Sequence, residues 1–258
     1  MKQALIYSAV AALVALSAPA QADTFLDFKV DEGSVPGASA NVLTADKLNG
    51  GYAEYLAVTG PTTFSAQGYA NFGQYFANEG TTLVASQLNG FGASGYGMYA
   101  LFTETGNITG PNTFNTTGGS FKLYIDVNND TSFGTSDGVT PIVAGNTGDD
   151  YQIAFSNTVG QPSIGNLNGP PGAFDLRFTD FTLVSNGTSQ DGDSYFIDPN
   201  PFYLYVQVNG DYDQFVPGTP SFVTGDVSAV FRATPEPASL ALIGVALAGL
   251  GIARRKSR

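Results

Sequence analysis

Five residues carry the spacing most suggestive of chemistry. Asp126, Asn128, Asp130, Ser132 and Asp137 fall at positions 1, 3, 5, 7 and 12 of residues 126–137, the order in which a calcium loop presents its oxygen ligands. Carboxylate and amide oxygens suit a hard cation, and Ser132 occupies the slot where a backbone carbonyl would coordinate. Thr131 stands where such a loop has Gly, and Asp137 replaces the longer, bidentate Glu. An Asn/Asp-rich turn would use the same residues for local hydrogen bonding alone, because Asn128 and Asn129 tolerate left-handed backbone. Both readings stand on the sequence, and a calcium site here would belong to the weak extracellular class, about 10⁻⁴–10⁻³ M.

Three acidic pairs, Asp149-Asp150, Asp191/Asp193 and Asp211/Asp213, could serve a glycosidase if two carboxyls flanked a sugar cleft ~5–10 Å apart. Their Gly-rich surroundings equally fit solvated turns. A third set, Tyr96, Tyr99, Tyr203, Tyr205 and Tyr212, could stack on sugar rings, each offering an apolar face with a polar tip. A half-buried strand face would use the same tyrosines for packing.

Composition excludes much else. The 258 residues include no Cys, no His and no Trp. Disulfides, thiolate or imidazole metal sites and His-dependent nucleophiles are therefore absent. The expectation is a protein that is not an enzyme and uses no cofactor beyond Ca2+. Acidic residues outnumber basic ones 22 to 10, which disfavours nucleic acid as a partner.

Short runs of Phe, Tyr, Val, Leu and Thr between Gly/Asn/Asp/Pro clusters must position these groups. In residues 120–127 Phe121, Leu123 and Ile125 alternate with Lys122, Tyr124 and Asp126, a half-buried strand pattern. In 174–184 the apolar phase switches from even to odd positions, which predicts a bulge near Thr179-Asp180. Only 76–90 has a weakly helical pattern. About ten short strands predict an all-β single domain, an antiparallel β-sandwich of jelly-roll type.

The two ends read as addresses. Residues 1–22 have a basic start at Lys2, an apolar run over 4–18 and the small-x-small site Ala20-Gln21-Ala22, the pattern of a signal peptide. The other end, 235–258, joins Pro235-Glu236-Pro237 to a hydrophobic segment over 238–253, then to Arg254, Arg255, Lys256 and Arg258 at 254–258. Its apolar core, 240–253, would span about 21 Å as a helix, short of the ~30 Å hydrocarbon layer. The basic cluster acts as a stop that fixes orientation. Between the addresses, 23–234 form the extracellular domain, with five basic residues against 21 acidic ones and a net charge of −16.

This tripartite tail resembles the PEP-CTERM sorting signal of Gram-negative bacteria that make exopolysaccharide. The resemblance implies a precursor anchored transiently through its C-terminal transmembrane helix, processing by an exosortase, and release to the cell surface or extracellular matrix. Thr234 departs from the Val usual before the first Pro, which bears on the cut site. The body is similar to the flocculation-associated PEP-CTERM proteins of floc-forming bacteria over 31–37, 48–54, 86–90, 95–100, 171–176 and 209–211, including Gly95-Tyr96-Gly97-Met98-Tyr99-Ala100. That similarity implies a biofilm-matrix protein that promotes cell aggregation through exopolysaccharide or other copies of itself. A carbohydrate-binding module with one defined glycan is the alternative.

Overall fold

The computed structural model of the chain describes residues 25–90, 94–110, 113–135, 141–166, 172–200, 202, 204–212 and 221–233. The expected signal peptide, the sorting segment 235–258 and its apolar helix lie outside these residues. No helix among the described residues is long and apolar enough to cross a membrane.

The described residues form sixteen strands in chain order: β1 (Phe28–Asp31), β2 (Val42–Ala45), β3 (Lys47–Gly60), β4 (Thr63–Ala77), β5 (Thr82–Val84), β6 (Gly97–Gly110), β7 (Thr113–Asp126), β8 (Ser132–Thr135), β9 (Pro141–Gly145), β10 (Tyr151–Ser156), β11 (Thr158–Asn166), β12 (Gly172–Thr179), β13 (Thr182–Leu183), β14 (Phe196–Asp198), β15 (Leu204–Tyr212) and β16 (Ser221–Ala233). A single helical turn, α1 (Gly192–Tyr195), precedes β14.

The architecture corrects the expected sandwich. Strands β3, β4, β6, β7, β11, β12, β15 and β16 follow one another around a closed, antiparallel eight-strand barrel. Two long-range pairings close it: Phe114 of β7 registers with Gly165 of β11, and Val227 of β16 with Gly50 of β3. An inward-apolar, outward-polar alternation satisfies a barrel as well as a sandwich, so periodicity does not distinguish them. The wall strands also run longer than the short turn-bounded runs suggested, with 15 residues in β4 and 14 in β7. The hairpin pairs β3–β4, β6–β7, β11–β12 and β15–β16 have their linked strand ends, Gly60 and Thr63, Gly110 and Thr113, Asn166 and Gly172, and Tyr212 and Ser221, at one end of the barrel. Every inserted element lies at the other.

Most inward positions are Phe, Leu, Val, Ala and Met, with Glu54 and Glu104 among the exceptions, and outward ones such as Ser65, Gln67, Thr103, Thr105 and Asn107 are polar. This is the reverse of an outer-membrane barrel, whose outer band is apolar. Side chains fill the interior, leaving voids of about 10 Å³ among the described residues, room for about one water each.

The opposite end is capped by the three-stranded sheet β14–β1–β2. Its aromatic plug includes Phe28 edge-on to Phe231 at 4.6 Å and Phe196 against Phe231 at 5.5 Å. Asp191 caps α1 by accepting from the Ser194 N–H at 2.8 Å. Residues 76–90 are not helical: β4 turns through the left-handed Asn78, Glu79 and Gly80 into β5. The phase switch at Thr179-Asp180 is a strand end rather than a bulge, because Asp180 (φ 53°) turns the chain out of β12.

Candidate functional site

The Asp126 loop leaves the capped end of β7 and feeds the β8–β9 hairpin. Asp126, 2% exposed, accepts from the N–H groups of Asp130 (3.2 Å) and Thr131 (2.9 Å). Asn129 takes the left-handed turn at φ 52°, and its side-chain amide donates to the Gly90 carbonyl at 2.8 Å. These bonds bend the loop back on itself. After β9 the chain returns beside it, and the Asn128 N–H donates to Asp149 at 3.2 Å.

Carboxylate oxygens of Asp126, Asp130 and Asp149 thus lie within 4.8 Å of one another. Oxygens bound to one calcium at 2.3–2.6 Å fall within about 5 Å of each other, so the three can share a cation. The structure brings Asp126 and Asp130 together as the spacing suggested, but supplies Asp149 from beyond the β8–β9 hairpin. Asn128 is exposed and contributes its backbone to the loop, Ser132 is exposed at the start of β8, and Asp137 lies outside the described residues. Asp150 supports the cluster from below, accepting from the hydroxyls of Tyr99 (2.7 Å) and Thr131 (2.8 Å). Burial, together with the charges of Asp126 and Asp149, lifts its pKa above the usual aspartate value despite those two bonds.

Beside the loop opens a cleft of about 260 Å³, bordered by Pro36, Gly37, Ala38, Gln87, Gly95, Tyr96, Val127 and Asn128. Its wall is held by fully buried Glu32, which accepts from the Tyr96 hydroxyl (3.0 Å), the Gln87 N–H (2.7 Å) and the Asn41 amide. The Tyr96 oxygen meets Tyr195 at 2.6 Å, and Tyr195 meets Tyr75. Because the Tyr96 hydroxyl spends its one proton on Glu32, the chain is oriented, with Tyr75 donating to Tyr195, Tyr195 to Tyr96, and Tyr96 to Glu32. Desolvation raises the pKa of all three phenols, so they stay protonated donors.

Neither described member of the tyrosine set offers a free ring. Tyr96 is 1% exposed and belongs to this buried chain. Tyr99 is 4% exposed, stacked on Tyr124 at 5.0 Å and covered by Phe133 of β8 at 5.0 Å. Tyr203 and the side chains of Tyr205 and Tyr212 lie outside the described part of the structure. Among the acidic pairs, Asp191 is a helix cap, and Asp211 accepts from the Asp226 N–H at 2.8 Å, so both serve local structure.

The last wall strand, β16, ends at Ala233, and the Pro-Glu-Pro, apolar and basic segments follow at once. Residues 233–256 match the PEP-CTERM protein-sorting motif. The chain carries this exosortase address. No curated protein and no solved structure matches the chain. The PEP-CTERM motif implies processing by an exosortase and export to the cell surface, and its match overlaps the last barrel strand only at Ala233.

Proposed function

We propose that the exported barrel is a non-enzymatic matrix protein that associates with exopolysaccharide at the capped-end cleft, with a divalent cation held by Asp126, Asp130 and Asp149, and so promotes cell aggregation. The observation that supports this reading is the meeting of the carboxylate cluster with the cleft, through Asn128. A sugar entering the cleft would reach the cation with its hydroxyls while Gln87 and the backbone at Gly95 border its ring. The filled interior favours a surface site over a barrel-mouth ligand.

Net charge supports the cation's part. A domain of net charge −16 repels acidic polymers and its own copies until counter-charge is supplied. Sedimentation of flocs from a strain lacking the gene tests the reading. Flocs should be lost while polysaccharide secretion continues, and restored by the wild-type gene but not by Asp126→Asn with Asp149→Asn. Unchanged flocs in the deletion strain would end the proposal.

A further inference from the structure

The barrel interior carries two acids that the surface reading does not use. Glu54 of β3 and Glu104 of β6 point inward from either side of β4, where Gly68 pairs with Glu54 and Ala66 with Glu104. They are only 4% and 6% exposed. Both border a void of about 10 Å³ whose other walls include Leu56, Phe64, Phe114, Phe174 and Leu176. Thr116 donates its hydroxyl to Glu104 at 3.2 Å, and no donor reaches the Glu54 carboxyl among the described residues.

No base among the described residues compensates them. The ion pairs among the described residues, Lys29–Asp198 and Arg177–Asp175, lie elsewhere. The parts of β4, β7, β11 and β12 that line the void contribute Phe64 and Ala66, Phe114 and Thr116, Gly165, and Phe174 and Leu176, none of them titratable. On β3 the preceding inward residue, Tyr52, gives its hydroxyl to the Asp211 carbonyl at 2.6 Å. An unpaired charge in such a site is far costlier than a neutral acid.

We infer that Glu54 and Glu104 form a proton-binding pair that keeps the hairpin end of the barrel closed while it holds a proton and loosens that end when both carboxylates are charged. Burial pushes Glu104 up to about 7 against the pull of the Thr116 hydroxyl. Burial and then the charge of Glu104 raise Glu54 well above the glutamate range. The folded state therefore binds more protons than the unfolded one. Stability from the pair is full below the ordinary glutamate value and is lost as pH rises through about 7. The inward layer beyond the pair, toward the hairpins, includes Phe64 and Phe114, edge-to-face at 5.1 Å, so water drawn to the charges would enter there.

The test is urea unfolding of the processed protein between about pH 5 and pH 8, where one extra bound proton changes the folding constant tenfold per pH unit. The wild type should lose at least that much, Glu54→Gln with Glu104→Gln should remove the slope, and Thr116→Val should move it to higher pH. Hydrogen exchange in 60–66 and 104–114 should be faster in the wild type than in the double variant at the same alkaline pH. If the Gln variants do not fold, infrared spectra of the wild type should show a protonated carboxyl near neutral pH that disappears on alkalinisation. A flat wild-type profile, a slope retained in the double variant, equal exchange, or full ionisation near pH 6 would each overturn the inference. So would stabilisation by sodium or calcium at fixed pH that the double variant abolishes, since the pair would then hold a metal ion.

Discussion

Gly68 stands directly across from Glu54 in the β3–β4 register, and a methyl group placed on it would lie 2.8 Å from the Glu54 Cβ. The same methyl would meet the Phe102 ring at 2.7 Å and press on the Ala53 carbonyl. A glycine on the inward face of a long strand is thus the space that Glu54 needs.

Gly68→Ala should therefore destabilise the barrel by about 1–3 kcal/mol, the usual range for overpacking a filled core. Urea midpoints at acidic pH, where the Glu pair is neutral, isolate the steric effect. An unchanged midpoint would show that β4 can shift to make room.

Removing the middle hydroxyl of the tyrosine chain, Tyr195→Phe, leaves the buried Tyr75 hydroxyl without its acceptor. The expected cost is about 1–3 kcal/mol, or very roughly 2–4 °C of thermal midpoint per kcal/mol for a domain of this size. Glu32→Gln should cost more, because Glu32 accepts from Asn41, Gln87 and Tyr96 through two oxygens and a glutamine keeps only one acceptor oxygen. Calorimetry of both variants orders them, and the reverse order would contradict the polarity assigned to the chain.

Cation binding should appear as stability. At about 10 mM calcium and the weak affinity of extracellular sites, linkage gives roughly 1.4–2.7 kcal/mol. Asp149→Asn should remove most of that gain, whereas Ser132→Ala, which changes none of the three carboxylates, should keep it. Equal gains in wild type and Asp149→Asn would exclude the three-carboxylate site.

Processing is checked by mass. Wild-type protein recovered from the medium should lack 254–258, and replacing Pro235, Glu236 and Pro237 with Ala should leave the chain with the cells, uncut. Release of an intact chain from the substituted strain would contradict the role of the motif.

Much of the fold was legible where one face is buried by neighbours along the same wall. Phe121, Leu123 and Ile125 alternate as expected and are all buried. Barrel closure was not legible, because the pairings of Phe114 with Gly165 and of Val227 with Gly50 join residues far apart in sequence. Asp126 and Asp130 could be read from spacing, but Asp149 arrives only once the β8–β9 hairpin folds back. The hairpin likewise hides Tyr99, whose outward phase otherwise promised exposure. Glu54 and Glu104 left a readable signal that periodicity alone supplies: each is a charge on the apolar phase of its strand, between Tyr52 and Leu56 or after Ala100 and Phe102.

The most direct test of the proposed function is a binding isotherm of the processed protein on exopolysaccharide purified from its own cells, with calcium and with chelator. Saturable binding that requires calcium and disappears in Asp126→Asn with Asp149→Asn is the predicted result. Binding that is absent at every calcium concentration, or equal in chelator and in the double variant, would contradict it.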